Sequence, residues 1–110
     1  VVPSRKFRAI GAKAALAHIA DGERVYVSID IDSLDPSIAP GTATICHGGF
    51  TYYEAKDLLR EVARRFHVVG VDFVEVSPPY DPSGITSLLA ARTSLDLIGS
   101  IFHERANRRR

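Results

Sequence analysis

Residues 25–36 read VYVSIDIDSLDP, and their alternation decides what kind of chain this is. Side chains of a strand point to opposite sides in turn, so Val25, Val27, Ile29 and Ile31 fall on one face of a strand over 25–31. Tyr26, Ser28, Asp30 and Asp32 fall on the other. Upstream, residues 5–20 are rich in alanine and carry Phe7, Ile10, Ala14, Leu16 and Ala17 at about helical spacing, with Asp21 and Gly22 as a stop. Downstream, residues 35–50 hold Pro36, Pro40, Gly41, Gly48 and Gly49 among several hydroxyl residues and predict an ordered loop. Thr51 and Glu54 have capping-box spacing, and Ala55, Leu58, Leu59 and Val62 predict a helix to about Phe66.

A second strand is expected over 68–76, in VVGVDFVEV. Its opening is almost continuously apolar, which suits a parallel sheet covered on both faces, and Pro78 and Pro79 end it. A loop through Tyr80, Asp81, Pro82, Ser83 and Gly84 leads into a last helix from Ile85 or Thr86 to about Glu104. Helices alternating with strands define an α/β chain with right-handed crossovers. Both strands read as central, and two parallel strands alone leave unpaired edges. The chain is therefore expected to belong to a wider sheet, and on its own to be marginally stable or to associate.

The composition agrees with a folded piece of this kind. Over 110 residues, 45% are hydrophobic and 25% charged, which excludes disorder. The formal net charge of +1 gives no reason to expect a nucleic acid or a membrane surface as partner. Arg105, Arg108, Arg109 and Arg110 form a basic run that reads as a solvated tail after a helix. A single cysteine, Cys46, excludes an internal disulfide. No stretch reads as a membrane span or signal peptide, so the cytoplasm is the expected compartment, with an upstream targeting segment left open.

The chemistry concentrates at the end of the first strand. If Asp30 and Asp32 share a strand face, their Cα atoms lie about 6.6–6.8 Å apart. Two carboxylates so held repel each other, and a cation relieves that cost. Strand ends are where open α/β sheets bind ligands, and oxygen donors at this spacing suit Mg²⁺ or Mn²⁺. Asp35, just before Pro36, is better placed to accept backbone N–H bonds and fix the turn. The competing reading is that all three carboxylates only shape a surface turn. Asp-x-Asp also serves sugar-transferring enzymes that hold a nucleotide sugar through Mn²⁺. Glu75, at the end of the second strand, calls for a cationic partner: a bound guanidinium gripped through both oxygens, or a structural arginine such as Arg92.

These strings together, SIDIDSLDPSIAPGTAT, then HGGFTYYEA, then VVGVDFVEVSPPYD, resemble the ureohydrolase family of arginase, agmatinase and guanidinobutyrase, and agmatinase-like members most of all. The resemblance covers about half the chain. It implies a three-layer α/β/α domain around a mainly parallel sheet, with two Mn²⁺ ions at the strand ends. It also implies hydrolysis of a small guanidino substrate to urea and an amine by a homo-oligomeric enzyme. Asp30 would bridge the two ions and Asp32 would bind one. Asp35 would support the loop, Thr44 would lie near the substrate, and Glu75 would receive the guanidinium.

Two departures qualify this. The family reads Gly-Thr-Gly-Thr-Pro where this chain has Gly41, Thr42, Ala43, Thr44 and Ile45, so the loop and the substrate it selects are expected to differ. The family's glycine-rich segment with a metal-binding histidine, and its Asp-Ala-His-x-Asp-like string, do not occur before Val25. His18 reads as a helix-face residue, and Cys46 and His47 as loop residues, rather than as ligands. The chain is thus expected to be the C-terminal portion of one catalytic domain and inactive by itself, with the catalytic acid or base unassigned. A non-catalytic α/β assembly module is the alternative from another class.

Overall fold

The computed structural model describes residues 1–108. Helix α2, Tyr52–Arg65, starts as its sequence dictates: the Thr51 hydroxyl accepts from the Glu54 N–H, and the Glu54 carboxylate accepts from the Thr51 N–H at 2.8 Å. This satisfies two donors that the first turn of a helix leaves free. Helix α1, Ser4–Ala15, is shorter than its alanine content predicts and is broken at Gly11, whose φ of 75° is non-helical. Past Ala15 the chain turns, and Leu16 and Ile19 pack on Val62, Phe66 and Val68, so burial rather than helix propensity sets their conformation. His18 lies in that turn, exposed.

Strands β1, Arg24–Asp30, and β2, His67–Val74, pair in parallel. Val25 pairs with Val68, Val27 with Val71 and Ile29 with Phe73, while a register shift after Val25 leaves Val69 without a partner residue. Val27 and Ile29 pack on Leu59 and Ala63 of α2 and on Leu97 of α3, Ile85–Asn107. Leu97 is 1% exposed, and burial of such an aliphatic side chain stabilises by about 1.5–3 kcal/mol. The opposite sheet face carries Tyr26, Ser28, Gly70 and Asp72. Tyr26 lies across Gly70, where a Cβ would come within 2.6 Å of its ring, and donates to Asp72 at 2.9 Å. That face is open among the described residues, as is the outer side of α3 with Leu88, Leu95 and Phe102.

Two sequence expectations change here. Arg105 and Arg108 are not simply solvated: Arg108 donates to the carbonyls of Ala63, Arg64 and Phe66, and Arg105 to that of Val68. The end of α2 leaves carbonyls without helical partners, and a guanidinium fork satisfies several at once. Arg109 and Arg110 lie outside the described residues. Helix α3 is also, by length and composition alone, apolar enough to cross a membrane, contrary to the expectation that no stretch is. It packs through Ala90 and Leu97 on neighbouring elements, as a helix covering a sheet does.

Candidate metal and substrate site

At its carboxyl end β1 curls instead of continuing. Residues Ile31–Ser33 form a 3₁₀ turn in which the Asp30 carboxylate accepts the Asp32 N–H at 3.0 Å and the Ser33 hydroxyl donates to the Asp30 carbonyl at 2.6 Å. The expected strand pair with both aspartates on one face is therefore corrected: Asp30 closes the strand and Asp32 rides on the turn. The short polar side chains compete with the sheet ladder for backbone partners and win where the β1–β2 pairing ends, at Asp30 and Val74. Ile31 and Leu34 are fully buried on either side and hold the turn in place.

Asp30 and Asp32 are close enough to sense each other. Burial first, then the charge of Asp30 and its hydrogen bond, then the charge of Glu75, push the Asp32 carboxyl above its ordinary range. No arginine, lysine or histidine among the described residues forms an ion pair with Asp30, Asp32 or Glu75. The acidic group is thus uncompensated from within. Arg92, one candidate partner for Glu75, pairs with Asp96 at 3.4 Å.

Asp35 has a different environment. One oxygen accepts from the Ser37 N–H at 3.0 Å and the other from the Gly48 N–H at 3.1 Å, across 13 residues of loop. Hydrogen bonds from the Ser37 side chain and backbone, and from Gly48, hold its carboxyl below the ordinary range. The loop is tied down on both flanks, since Asp35 N–H donates to the Phe50 carbonyl and Phe50 N–H to that of Ser33. Arg8 of α1 adds bonds to the Gly48 and Gly49 carbonyls and an ion pair with Glu54 at 2.8 Å. Thr44 stands exposed on this loop, as do Cys46 and His47. Ala43, where the family carries glycine, is accommodated without a positive φ.

Glu75 departs most from expectation. It is not the last residue of a buried strand. It lies just past β2, exposed, and is the one non-glycine among the described residues with positive φ, at 64°. A side chain in this conformation is uncommon and costs backbone energy, which marks a position worth a functional reading.

Asp81 and Thr86, not singled out from sequence, are both buried. The Asp81 carboxylate takes the Ser83 hydroxyl, the Ser83 N–H at 3.1 Å and the Thr86 N–H at 2.7 Å. An aspartate followed by proline, serine and glycine ahead of a helix was the available signal. Led by the Ser83 hydroxyl, these donors lower its pKa from 3.8 to about 2. A depressed carboxyl pKa stabilises the fold above the unfolded value, and the contribution disappears as pH falls from about 4 through about 2. Asp81→Asn is expected to lower stability at neutral pH, with the gap from wild type closing over that acid window. Denaturant unfolding at pH 7, 4 and 2 measures it; a gap independent of pH would refute the charge assignment.

Asp30 and Asp32 would be hard oxygen donors, unpaired with any cation among the described residues, which suits Mn²⁺. Their number does not complete a site: no group of three or more His, Cys, Asp or Glu poised for a metal occurs among the described residues. They fit as part of a ligand set. A surface concavity between α2 and α3, lined by Asp57, Arg60, Glu61 and His103, includes none of these residues.

The described residues form a parallel α/β unit with an acidic cluster at the end of one strand and a strained glutamate just past the next. A sequence profile of the arginase family matches residues 1–99, and the chain belongs to that family. It is 41% identical over 101 residues to guanidinopropionase of Pseudomonas aeruginosa, covering 89% of this chain and 31% of that protein. It is 45% identical over 85 residues to agmatinase of Proteus mirabilis, covering 77% of this chain and 28% of that protein. The fold superposes with a TM-score of 0.84 on a crystal structure of a hypothetical agmatinase from Burkholderia thailandensis, at 35% identity, over 97% of this chain and 35% of that one. The fold is arginase-like α/β. The chain spans under a third of the length of these two curated relatives.

Proposed function

We propose that these residues form the C-terminal portion of the catalytic domain of a manganese-dependent enzyme that hydrolyses a small guanidino compound to urea and an amine. The observation that carries this reading is the Asp30–Asp32 pair at the end of β1, which forms no ion pair with a protein cation among the described residues. Support comes from the family and from two relatives whose names both specify a guanidino compound. Nothing in the fold or the family favours a nucleotide-sugar enzyme or a non-catalytic module.

In this reading Asp30 would help hold both Mn²⁺ ions and Asp32 one of them, with further ligands from elsewhere in the protein. Bound metal of this kind makes water a nucleophile near neutral pH. The work of this chain is placement. Asp35 keeps the loop closed over residues 35–48, Thr44 offers a hydroxyl to the substrate, and Glu75 accepts the planar guanidinium through both oxygens. The complete enzyme is a cytoplasmic homo-oligomer with no nucleic-acid or membrane partner.

Urea release from agmatine, arginine and guanidinobutyrate, with and without Mn²⁺, tests this. The full-length protein is expected to release urea from at least one of them, to stop on chelation and to recover with Mn²⁺. The 110-residue chain alone is expected to release none, because two carboxylates do not hold a binuclear centre. A metal-loaded full-length protein that releases no urea, or an active isolated chain, would refute the reading.

A further inference from the structure

We infer that Thr86, acting through Gly41 and Asp81, is a positioning residue that fixes the loop carrying Thr44 against the segment carrying Glu75. Gly41 is the junction. Its N–H donates to the Thr86 hydroxyl at 2.8 Å, and its carbonyl accepts from the Ser77 N–H at 2.8 Å. Gly41 lies three residues before Thr44, and Ser77 two residues after Glu75. One buried glycine thus joins the two halves of the proposed substrate site to the start of α3.

The joint has no slack. A Cβ on Gly41 would come within 2.8 Å of both the Asp81 side chain and the Thr86 hydroxyl. Thr86 is 1% exposed, so a Gly41 N–H deprived of its acceptor would have no water to replace it. The Asp81 carboxylate accepts the Thr86 N–H at 2.7 Å and the Ser83 N–H at 3.1 Å, which fixes the start of α3 beside Gly41. Neither the carboxylates of the metal site nor Glu75 belongs to this joint. Loosening it would shift Thr44 relative to Glu75 while leaving the donors at the end of β1 in place. Misplacement of about 1 Å is enough to impair a positioned substrate severely.

This inference rests on the guanidino-hydrolase reading, and the test separates the two. In the full-length Mn²⁺-loaded protein, Thr86→Val keeps the shape and removes the acceptor, whereas Thr86→Ser keeps the acceptor. With the guanidino compound that the wild type turns over best, Thr86→Val is expected to raise KM about tenfold, with kcat within about twofold and Mn²⁺ content unchanged. Thr86→Ser is expected to restore the wild-type KM. Unchanged KM in Thr86→Val, or loss of kcat and metal without a KM change, would overturn the positioning role. If Thr86→Val does not fold, Asp81→Asn decides, since it leaves the Thr86 acceptor but removes the charge of the group that holds the Thr86 N–H: a raised KM supports the role and an unchanged one overturns it. Absence of urea release by the wild type would overturn the functional reading, and this inference with it.

Discussion

Asp30→Asn in the full-length Mn²⁺-loaded protein is expected to lower turnover by roughly a thousandfold and to release metal, with little change in stability. The contrast follows from what the side chain does locally. One Asp30 oxygen accepts the Asp32 N–H at 3.0 Å and so shapes the turn, and an asparagine oxygen can accept the same bond. Only the negative charge and the second anionic oxygen are lost. If Asp30 merely shaped the turn, the substitution would be nearly silent; if it bridges two ions, the substitution removes the group that holds them together. Asp32→Asn is expected to empty one ion site more than the other, because in the proposed site Asp32 serves only one of the two ions. Metal content must be measured beside kinetics, with thermal unfolding as the fold control. Two tightly held Mn²⁺ ions and near-normal turnover in both variants would show that the carboxylates serve the turn alone.

What the sequence reveals about such a site is uneven, and the unevenness has physical causes. Alternation over residues 25–31 places Val25, Val27 and Ile29 correctly on the helix-facing side, because burial repeats with the pleat. Ile31 is buried as its position predicts, yet it sits in a 3₁₀ turn rather than the strand: hydrophobic pattern reports burial, not the backbone that achieves it. The Thr51–Glu54 capping box is legible because its partners are local. The apolar opening of β2 hides the register shift at Val69, since Val68, Val69 and Val71, broken only by Gly70, look alike in either register. The bond from Gly41 to Thr86 spans 45 residues, and no local pattern announces it. The loop support from Asp35 was readable in part. Its reach to Ser37 is a local turn habit, whereas its reach to Gly48 depends on how the loop closes.

Glu75 combines a strained backbone with its proposed contact to the guanidinium, and its substitution is expected to have the second large effect. Glu75→Gln is expected to leave Mn²⁺ content and fold intact and to lower kcat/KM for the guanidino substrate by about a hundredfold, because the amide keeps the shape but cannot meet a guanidinium with two anionic oxygens. Its side chain is exposed and forms no ion pair among the described residues, so removing the charge leaves no buried arginine among them unpaired. The backbone makes a separate prediction. With φ at 64°, glutamate occupies a conformation that glycine adopts freely, so Glu75→Gly relieves strain while adding chain freedom to the unfolded state. Relief is expected to win, leaving the variant as stable as the wild type or more stable by up to about 1 kcal/mol, yet without guanidino hydrolysis. Stability gained where activity is lost is the mark of a conformation kept for the ligand rather than for the fold. Denaturant unfolding and urea release on the same preparations decide it: a Glu75→Gly protein that is markedly destabilised, with a Glu75→Gln protein that turns over normally, would place Glu75 in the scaffold and outside the site.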